Sequence, residues 1–307
     1  MKIKKICFVG FGSHVEKTIL PSLSLDKKNI KIISSKSSIK NFDTFPDIKS
    51  ALKIISKDYV IYNATPPKLH FITSKLVLNM GFNLIVEKPI CLNIYQLNKL
   101  KILAEKRKLF IFENMMYFYS NQFSLFKKYI KKKNTITSIE LNFSIPNFKK
   151  DSFRSNSNID SSLLYDVACY PFSLISYLGY AIRNFNISYK FKHGIFNYLN
   201  VDFVSKKIKF HVKVSFFEKY ENYAKICFTD DSSIQFNHFF YGKKIIKNNI
   251  KIISKFKSKN FFINDSNVFS KIFSFNKKKI YLLSKKHLYI ANDYLKILAR
   301  IKKLIKQ

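Results

Sequence analysis

Ile3-Lys4-Lys5-Ile6-Cys7-Phe8-Val9-Gly10-Phe11-Gly12-Ser13, near the start of a chain of 307 residues, is the stretch whose reading decides the fold. The run Ile3–Val9 has the length and apolar content of a buried strand, and the residues Val15–Leu25 after it carry helical spacing, with Pro21 as an expected break. A strand that feeds a helix through Gly-x-Gly is the geometry of a phosphate-binding turn. The first glycine permits the tight bend, and the second lets a pyrophosphate approach the backbone and the helix N-terminus. Gly10, Gly12 and Ser13 are therefore candidate cofactor contacts. Val15 stands where a third glycine would complete GxGxxG, so the motif is partial, yet two of only six glycines fall here.

Outward from this turn the alternation continues. The spacing predicts strands at Ile30–Ser34, Tyr59–Ala64, Asn83–Val86 and Leu109–Phe112, separated by helices at Ile48–Ile55, Leu69–Met80 (closed by Gly81) and Ile94–Lys108. Strands separated by helices imply parallel βαβ units and an α/β, doubly wound sheet. After about Phe118 the texture changes. A helix over Gln122–Lys132, a strand at Ile136–Ser144, a polar loop at Asn147–Ser162 and one helix over Ser161–Leu178 are expected. Runs at Ile187–Phe191, Lys207–Phe217, Tyr223–Thr229 and Ser233–Phe240 then read as antiparallel strands, and Leu288–Ile305 as a closing amphipathic helix. The organisation expected is a Rossmann-type domain over residues 1–118 and an α+β domain with a mostly antiparallel sheet over 119–307.

The composition sets limits. Apolar residues make up 47% and aromatics 16%, which excludes intrinsic disorder. No stretch reaches the roughly 18–20 apolar residues of a membrane span and no cleavage site follows the first strand, so an unexported, cytoplasmic protein is expected. Cys7, Cys91, Cys169 and Cys227 form no CxxC pair, and the histidines show no HxxxH or HExxH spacing, so neither a disulfide framework nor a metal site is expected. The formal net charge of +36 invites a nucleic-acid reading, but only four of the 55 basic residues are Arg. The excess is even: 20 basic and 8 acidic residues over 1–118, and 35 and 11 over 119–307. A binding patch clusters, whereas a Lys-, Ile-, Asn- and Phe-rich bias of AT-rich codons does not. The densest run, Lys243 to Lys259 with seven Lys, reads as a solvated loop or strand edge.

At the end of the second strand NAD-binding proteins carry an acid for the ribose 2′-hydroxyl. Here the sequence is Ser34-Ser35-Lys36-Ser37. Hydroxyls and a cation suit a 2′-phosphate, so Ser35 and Lys36 favour NADP over NAD, with NAD still possible.

Three segments in order, the Gly-rich turn, Ala64-Thr65-Pro66-Pro67 with His70, and Glu87-Lys88-Pro89, resemble the ATPxxxH and EKP motifs of the glucose–fructose oxidoreductase/inositol dehydrogenase (Gfo/Idh/MocA) family. Leu164-Tyr165-Asp166-Val167-Ala168-Cys169-Tyr170-Pro171 resembles that family's LxDxGxYP helix, and Glu113-Asn114-Met115-Met116-Tyr117-Phe118 with Gln122 is similar to its sugar-nucleotide ketoreductase branch. The resemblance implies an NADP(H)-dependent oxidoreductase acting on a carbonyl or hydroxyl of a sugar or sugar nucleotide. It implies cofactor contacts at Thr65, Pro66, His70, Glu87 and Lys88, and substrate contacts at Asn114, Asp166 and Tyr170. It also implies a dimer or tetramer built on the open face of the second sheet. The sequence departs from the family at Asp160-Ser161-Ser162, where it has GGG, and at Ala168, where it has Gly.

Asp166 and Tyr170, four apart on one expected helix, share a face. Lys88 ends a parallel strand, the edge where ligands bind in doubly wound sheets. Negative charge grows on a carbonyl oxygen during reduction. Lys88 would stabilise it and help Tyr170 donate a proton, since a phenol with its ordinary pKa of about 10 is a poor acid at neutral pH. Asp166 would orient the substrate or Lys88, and Arg154, a rare Arg, would meet an anionic group of the substrate. The alternatives are a cofactor-binding scaffold or sensor without catalysis, an imine or dihydrodiol reductase on the same fold, and nucleic-acid binding.

Overall fold

The structure is a computed structural model that describes residues 3–35, 39–131, 135–148, 154, 163–240, 248–254, 257–263 and 268–306. The chain divides into two compact units, residues 1–115 with 269–295 and residues 116–268 with 296–307. The expected division was 1–118 and 119–307; in the structure the segment Phe269–Leu295 belongs with the N-terminal unit.

The first unit is built on β1 (Ile6–Val9), β2 (Ile30–Ile33), β3 (Asp43–Phe45), β4 (Val60–Asn63), β5 (Leu84–Glu87) and β6 (Ile111–Asn114). Their order is β3-β2-β1-β4-β5-β6, and every pairing is parallel. Strands β1 and β4 are buried along their whole length, as they must be when helices cover both sheet faces. The connecting helices are α1 (Ile48–Ile54), α2 (Pro67–Asn79) and α3 (Ile94–Lys106). Local chemistry fixes their ends. Asp47 accepts from the Ser50 amide at 2.7 Å and Asn93 from the Gln96 amide at 2.9 Å, satisfying otherwise orphaned first-turn N–H groups. Pro67 occupies the first turn of α2, where no N–H is needed, and Gly81 follows its end at φ +79°.

The helix expected over Val15–Leu25 is replaced by a π-helical turn, Val15–Ile19, and a 3₁₀ turn, Leu20–Ser22. Pro21 lacks the N–H that an α-helix would need there, and the turn ends before it. The three-residue β3 falls below the length at which periodicity signals a strand.

In the second unit, α4 (Asn121–Ile130), α5 (Leu163–Asp166) and α6 (Cys169–Leu178) accompany an eight-stranded sheet. Its strands are β7 (Ile136–Ile145), β8 (Phe185–Lys192), β9 (Ile195–Ser205), β10 (Ile208–Phe216), β11 (Glu221–Phe228), β12 (Ser233–Asn237), β13 (Asn248–Ser254) and β14 (Lys257–Ile263), in the order β14-β13-β12-β11-β7-β10-β9-β8. Only β10 with β7 is parallel. The lysine-rich stretch expected as a loop or strand edge thus contains β13 and the start of β14, the edge strand of the sheet. Alternation along the strands sorts the faces: Ile139, Leu141, Phe210, Val212, Ala224 and Ile226 are buried on one side. The other side carries ion pairs, Lys225–Glu140 at 3.0 Å, Lys213–Glu218 at 2.8 Å and His211–Asp202 at 2.7 Å.

The single helix expected over Ser161–Leu178 is two. Pro171 lacks the N–H for a bond to the Val167 carbonyl, and the Ala168 amide reaches back five residues to the Leu163 carbonyl at 3.0 Å, so the chain rewinds between α5 and α6. Two further helices, α7 (Val268–Ser274) and α8 (Lys277–Ile305), close the chain. Helix α8 begins well before the expected Leu288. Among the described residues no helix is long and apolar enough to cross a membrane.

Phe210 is wholly buried and stacks on Phe203, with ring centroids 4.6 Å apart and planes inclined by 4°. Phe210→Ala is expected to lower the unfolding free energy by about 3–5 kcal/mol, the usual result of deleting a core ring and leaving its cavity; urea denaturation of the variant checks this.

Candidate active site

The turn after β1 is built around Gly10, which adopts φ +88° and donates its N–H to the Ile33 carbonyl at 2.9 Å. A Cβ at this position would lie 2.9 Å from the Ala64 carbonyl oxygen, so only glycine fits. Around Gly12 no atom lies within 4 Å of where a Cβ would stand, which leaves the backbone open to a ligand. Ser13 is exposed beside it, and Ser35 is exposed just beyond β2. Lys36 lies outside the described residues.

The turn after β4 is held from within. Asn63 Oδ1 accepts from the Thr65 amide at 3.2 Å and from its hydroxyl at 2.7 Å, while Asn63 Nδ2 donates to the His70 carbonyl at 3.2 Å. Pro66 precedes α2, and His70 lies buried on its first turns with Nε2 2.7 Å from the Thr65 carbonyl and Nδ1 2.7 Å from the Pro89 carbonyl. The imidazole thus links the turn after β4 to the turn after β5. Burial lowers its pKa, and the two carbonyls and Glu87 oppose that shift.

Glu87 ends β5. Burial alone would raise its pKa, but His14, Tyr62 and Asn114 outweigh it and hold the carboxylate down at about 2. Tyr62 donates its hydroxyl to Glu87, Asn114 Nδ2 donates at 2.9 Å, and His14 Nε2 stands 3.5 Å away. Asn114 Nδ2 also donates to the Tyr62 hydroxyl at 2.6 Å, while its Oδ1 is a buried acceptor with no hydrogen-bond partner among the described residues. Lys88 follows, half-buried and joined to Pro89 by a cis peptide bond.

Beside Lys88 lies a second buried carboxyl that the sequence did not single out for chemistry. Glu113 accepts from the Ile90 amide at 2.8 Å and from the Tyr294 hydroxyl. Burial pushes its pKa up to about 7, against the pull of Tyr294, Ile90 and the Lys88 charge. His14, Tyr62, Glu113, Tyr294 and His287 were all missed by sequence reasoning. Glu113 alone carried a signal, its place beside Asn114.

In the second unit, Asp166 closes α5 and Tyr170 lies in the first turn of α6, so the shared face of one helix expected for them does not exist. Arg154, expected to meet an anionic substrate, donates Nε to Asp166 Oδ2 at 2.6 Å. The Tyr170 ring packs against Phe143 at 5.3 Å and near Tyr117 and Phe240 at 6.1 Å. Its carbonyl accepts from the Ser173 hydroxyl at 2.7 Å and from the Tyr117 hydroxyl at 3.3 Å. Of the expected residues, Thr65, His70, Glu87 and Asn114 thus fall into one hydrogen-bonded edge of the first unit, and Asp166 and Arg154 into one pair in the second. Among the described residues no group of three or more His, Cys, Asp or Glu could hold a metal ion.

Residues 5–115 match the family model described as an oxidoreductase family with an NAD-binding Rossmann fold, GFO_IDH_MocA. The chain is 24% identical over 120 residues to the dTDP-3,4-didehydro-2,6-dideoxy-alpha-D-glucose 3-reductase of Streptomyces violaceoruber, an alignment covering 38% of this chain and 35% of the relative. The chain therefore spans about a third of the length of the curated relative it matches. Among solved structures it is similar to a 3-ketoreductase from Actinomadura kijaniata in complex with NADP and TDP-benzene, with a TM-score of 0.80, 15% identity and 95% of each chain covered. It is also similar to an aldose-aldose oxidoreductase from Caulobacter crescentus complexed with glycerol, with a TM-score of 0.78, 12% identity and 99% and 97% of the two chains covered. At these identities the structural likeness speaks for the fold alone. Residues 5–115, which carry the glycine turn and the Glu87-Lys88-Pro89 edge, are thus similar to the NAD-binding Rossmann domain of the Gfo/Idh/MocA oxidoreductases.

Proposed function

We propose that the protein is an NADP(H)-dependent oxidoreductase that moves hydride between the nicotinamide and a carbonyl or hydroxyl carbon of a sugar or sugar nucleotide. The observation that carries this reading is the match of residues 5–115 to an oxidoreductase family whose Rossmann fold binds NAD. The glycine turn fits that cofactor. Gly10 makes the bend, Gly12 leaves room for a pyrophosphate, and the two flank the point between β1 and β4 where the strand order reverses. Exposed Ser13 and Ser35 offer hydroxyls to phosphate oxygens, Thr65, Pro66, His70 and Glu87 line the strand ends beyond, and the unused Asn114 Oδ1 suits an N–H or O–H donor of a bound group. Preference for the 2′-phosphorylated form rests on Ser35 and Lys36, with no carboxylate there to repel it.

When bound, the cofactor supplies or takes the hydride. The chain supplies the rest. Lys88 carries a cation at the C-terminal edge of the parallel sheet, where it stabilises negative charge on a substrate oxygen. Tyr170 gives that oxygen its proton during reduction and takes it back during oxidation, a role that an ammonium brought to the same oxygen would make possible for a phenol at neutral pH. Asp166, neutralised by Arg154, orients substrate hydroxyls; in this arrangement Arg154 acts on the substrate through Asp166.

The outer face of the eight-stranded sheet offers the pairs Lys225–Glu140, Lys213–Glu218 and His211–Asp202 to a second copy of the chain, and a dimer or tetramer through it is part of the proposal. So is a reducing, cytoplasmic setting, supported by Cys7, Cys91, Cys169 and Cys227, all free thiols.

NADPH is expected to raise the melting temperature more than NADH at equal concentration, since a ligand at about 100 times its Kd stabilises by about 2.7 kcal/mol; a larger shift with NADH would refute the 2′-phosphate preference. Lys88→Met and Tyr170→Phe are each expected to cut reduction of a 3-keto or 4-keto sugar nucleotide, followed as loss of NADPH absorbance, by about 10²–10⁴-fold while NADPH still binds. Full activity in either variant would sink the role assigned to it. A wild-type chain that binds NADPH but turns over no such substrate would point to a cofactor-binding scaffold.

A further inference from the structure

Lys88 sits on a turn that is held from three sides within the first unit. His70 Nδ1 contacts the Pro89 carbonyl at 2.7 Å, the Ile90 amide donates to Glu113 Oε1 at 2.8 Å, and the Tyr294 hydroxyl of α8 donates to the same carboxyl oxygen. Strands β5 and β6 are in register with Val86 opposite Glu113, so the Glu113 side chain rises from the strand beside the one that Lys88 follows. It is 1% exposed. A carboxyl in that position needs a reason, because an apolar residue would bury at far lower cost. An acceptor for one amide needs only a neutral oxygen. A group able to ionise against Lys88 does something more.

We propose that Glu113 is a positioning residue for Lys88, fixing the turn that carries the ammonium through the Ile90 amide and presenting to that ammonium the negative charge it faces. The inference deepens the oxidoreductase reading, on which the catalytic meaning of Lys88 rests, but the hydrogen bond from the Ile90 amide to Glu113 exists whether or not that reading holds. Every titratable or charged group facing Glu113 bears on it. From β5 and the turn after it come Glu87, Lys88 and Cys91, and from α8 come Tyr294, the phenol donor, and His287, bonded to the Glu113 backbone. Burial raises the Glu113 pKa to about 7, holds His287 uncharged by pushing its pKa down to about 3, and pushes the Cys91 thiol up. With Glu87 held ionised, His287 uncharged and Cys91 a thiol, Glu113 is the one of these four whose charge changes near neutral pH, and with it the field at Lys88.

Glu113→Gln separates the two parts of the role, since an amide oxygen still accepts from Ile90 while the charge is gone. The readout is acetylation of Lys88 by limiting acetic anhydride across pH 6–10, quantified on the Lys88 peptide by mass spectrometry, because only the free amine reacts. Loss of a facing carboxylate is expected to move the Lys88 labelling midpoint down by about one pH unit, or about tenfold faster labelling at a fixed pH on its flank. Tyr294→Phe, which takes a donor from the carboxylate and so favours its neutral form, is expected to move the midpoint the same way by less, and serves if Glu113→Gln does not fold. A Lys88 profile in a folded Glu113→Gln or Tyr294→Phe variant that superimposes on the wild type would overturn the proposal and leave Glu113 a structural acceptor only. Failure of the wild type to reduce any keto sugar would count against the oxidoreductase reading alone, because the labelling result needs no turnover.

Discussion

The approach of Gly10 to the Ala64 carbonyl, so close that a single methyl would collide, is the constraint on which the ligand-binding edge of the first unit depends. β1 and β4 are paired with Val9 opposite Asn63, which brings the turns after both strands together. From there a continuous set of contacts crosses the sheet edge. Asn63 holds Thr65, His70 joins the Thr65 carbonyl to that of Pro89, and the Ile90 amide joins Glu113 at the end of β6. Four neighbouring strand ends are thereby fixed to one another, and Lys88 is placed by that frame rather than by its own flexible stem. Such support is what the role proposed for Lys88 needs, because a misplacement of about 1 Å can cost orders of magnitude in rate.

Electrostatically the same edge contains two buried carboxyls driven apart. Glu87 has three polar neighbours that outweigh burial and stabilise its anion, and its pKa falls to about 2; at Glu113 burial outweighs Tyr294, the Ile90 amide and the Lys88 charge and takes it to about 7. Pairs of titratable groups pushed in opposite directions are a mark of sites that do acid–base or charge-stabilising work. The overall charge of +36 contributes little to this specificity. It is spread along the chain, and it is the few acids, placed at the strand ends and across the outer face of the second sheet, that give the cations their local meaning.

Much of this fold was legible in the sequence. The alternation of apolar strands with helical segments revealed five of the six parallel strands, because their near-continuous apolar runs are demanded by burial on both faces. The missing β3 is three residues long and has no pattern to read. β9 hid because Asn197, Asn200 and Asp202 have low strand propensity and the pairing with β8 slips at Lys190/Phe191. Helical spacing over Val15–Leu25 and Ser161–Leu178 was real, but Pro21 and Pro171 changed what the backbone could do with it. Lys88, His70 and Glu87 were reachable as motif residues. Their partners were not: Tyr62 and Tyr294 lie 25 and 181 residues from the carboxylates they bond, and no periodicity records a contact of that kind.

The central claim is that the Gly10 turn holds a nicotinamide dinucleotide, and calorimetric titration of NADPH into the wild-type protein and into Gly10→Ala tests it most directly. The account predicts saturable binding of one NADPH per chain in the wild type, and loss of that binding in a Gly10→Ala variant that still shows a cooperative melt, because the added methyl must push the turn away from Ala64. Equal binding by the two proteins, or none by the wild type, would contradict it.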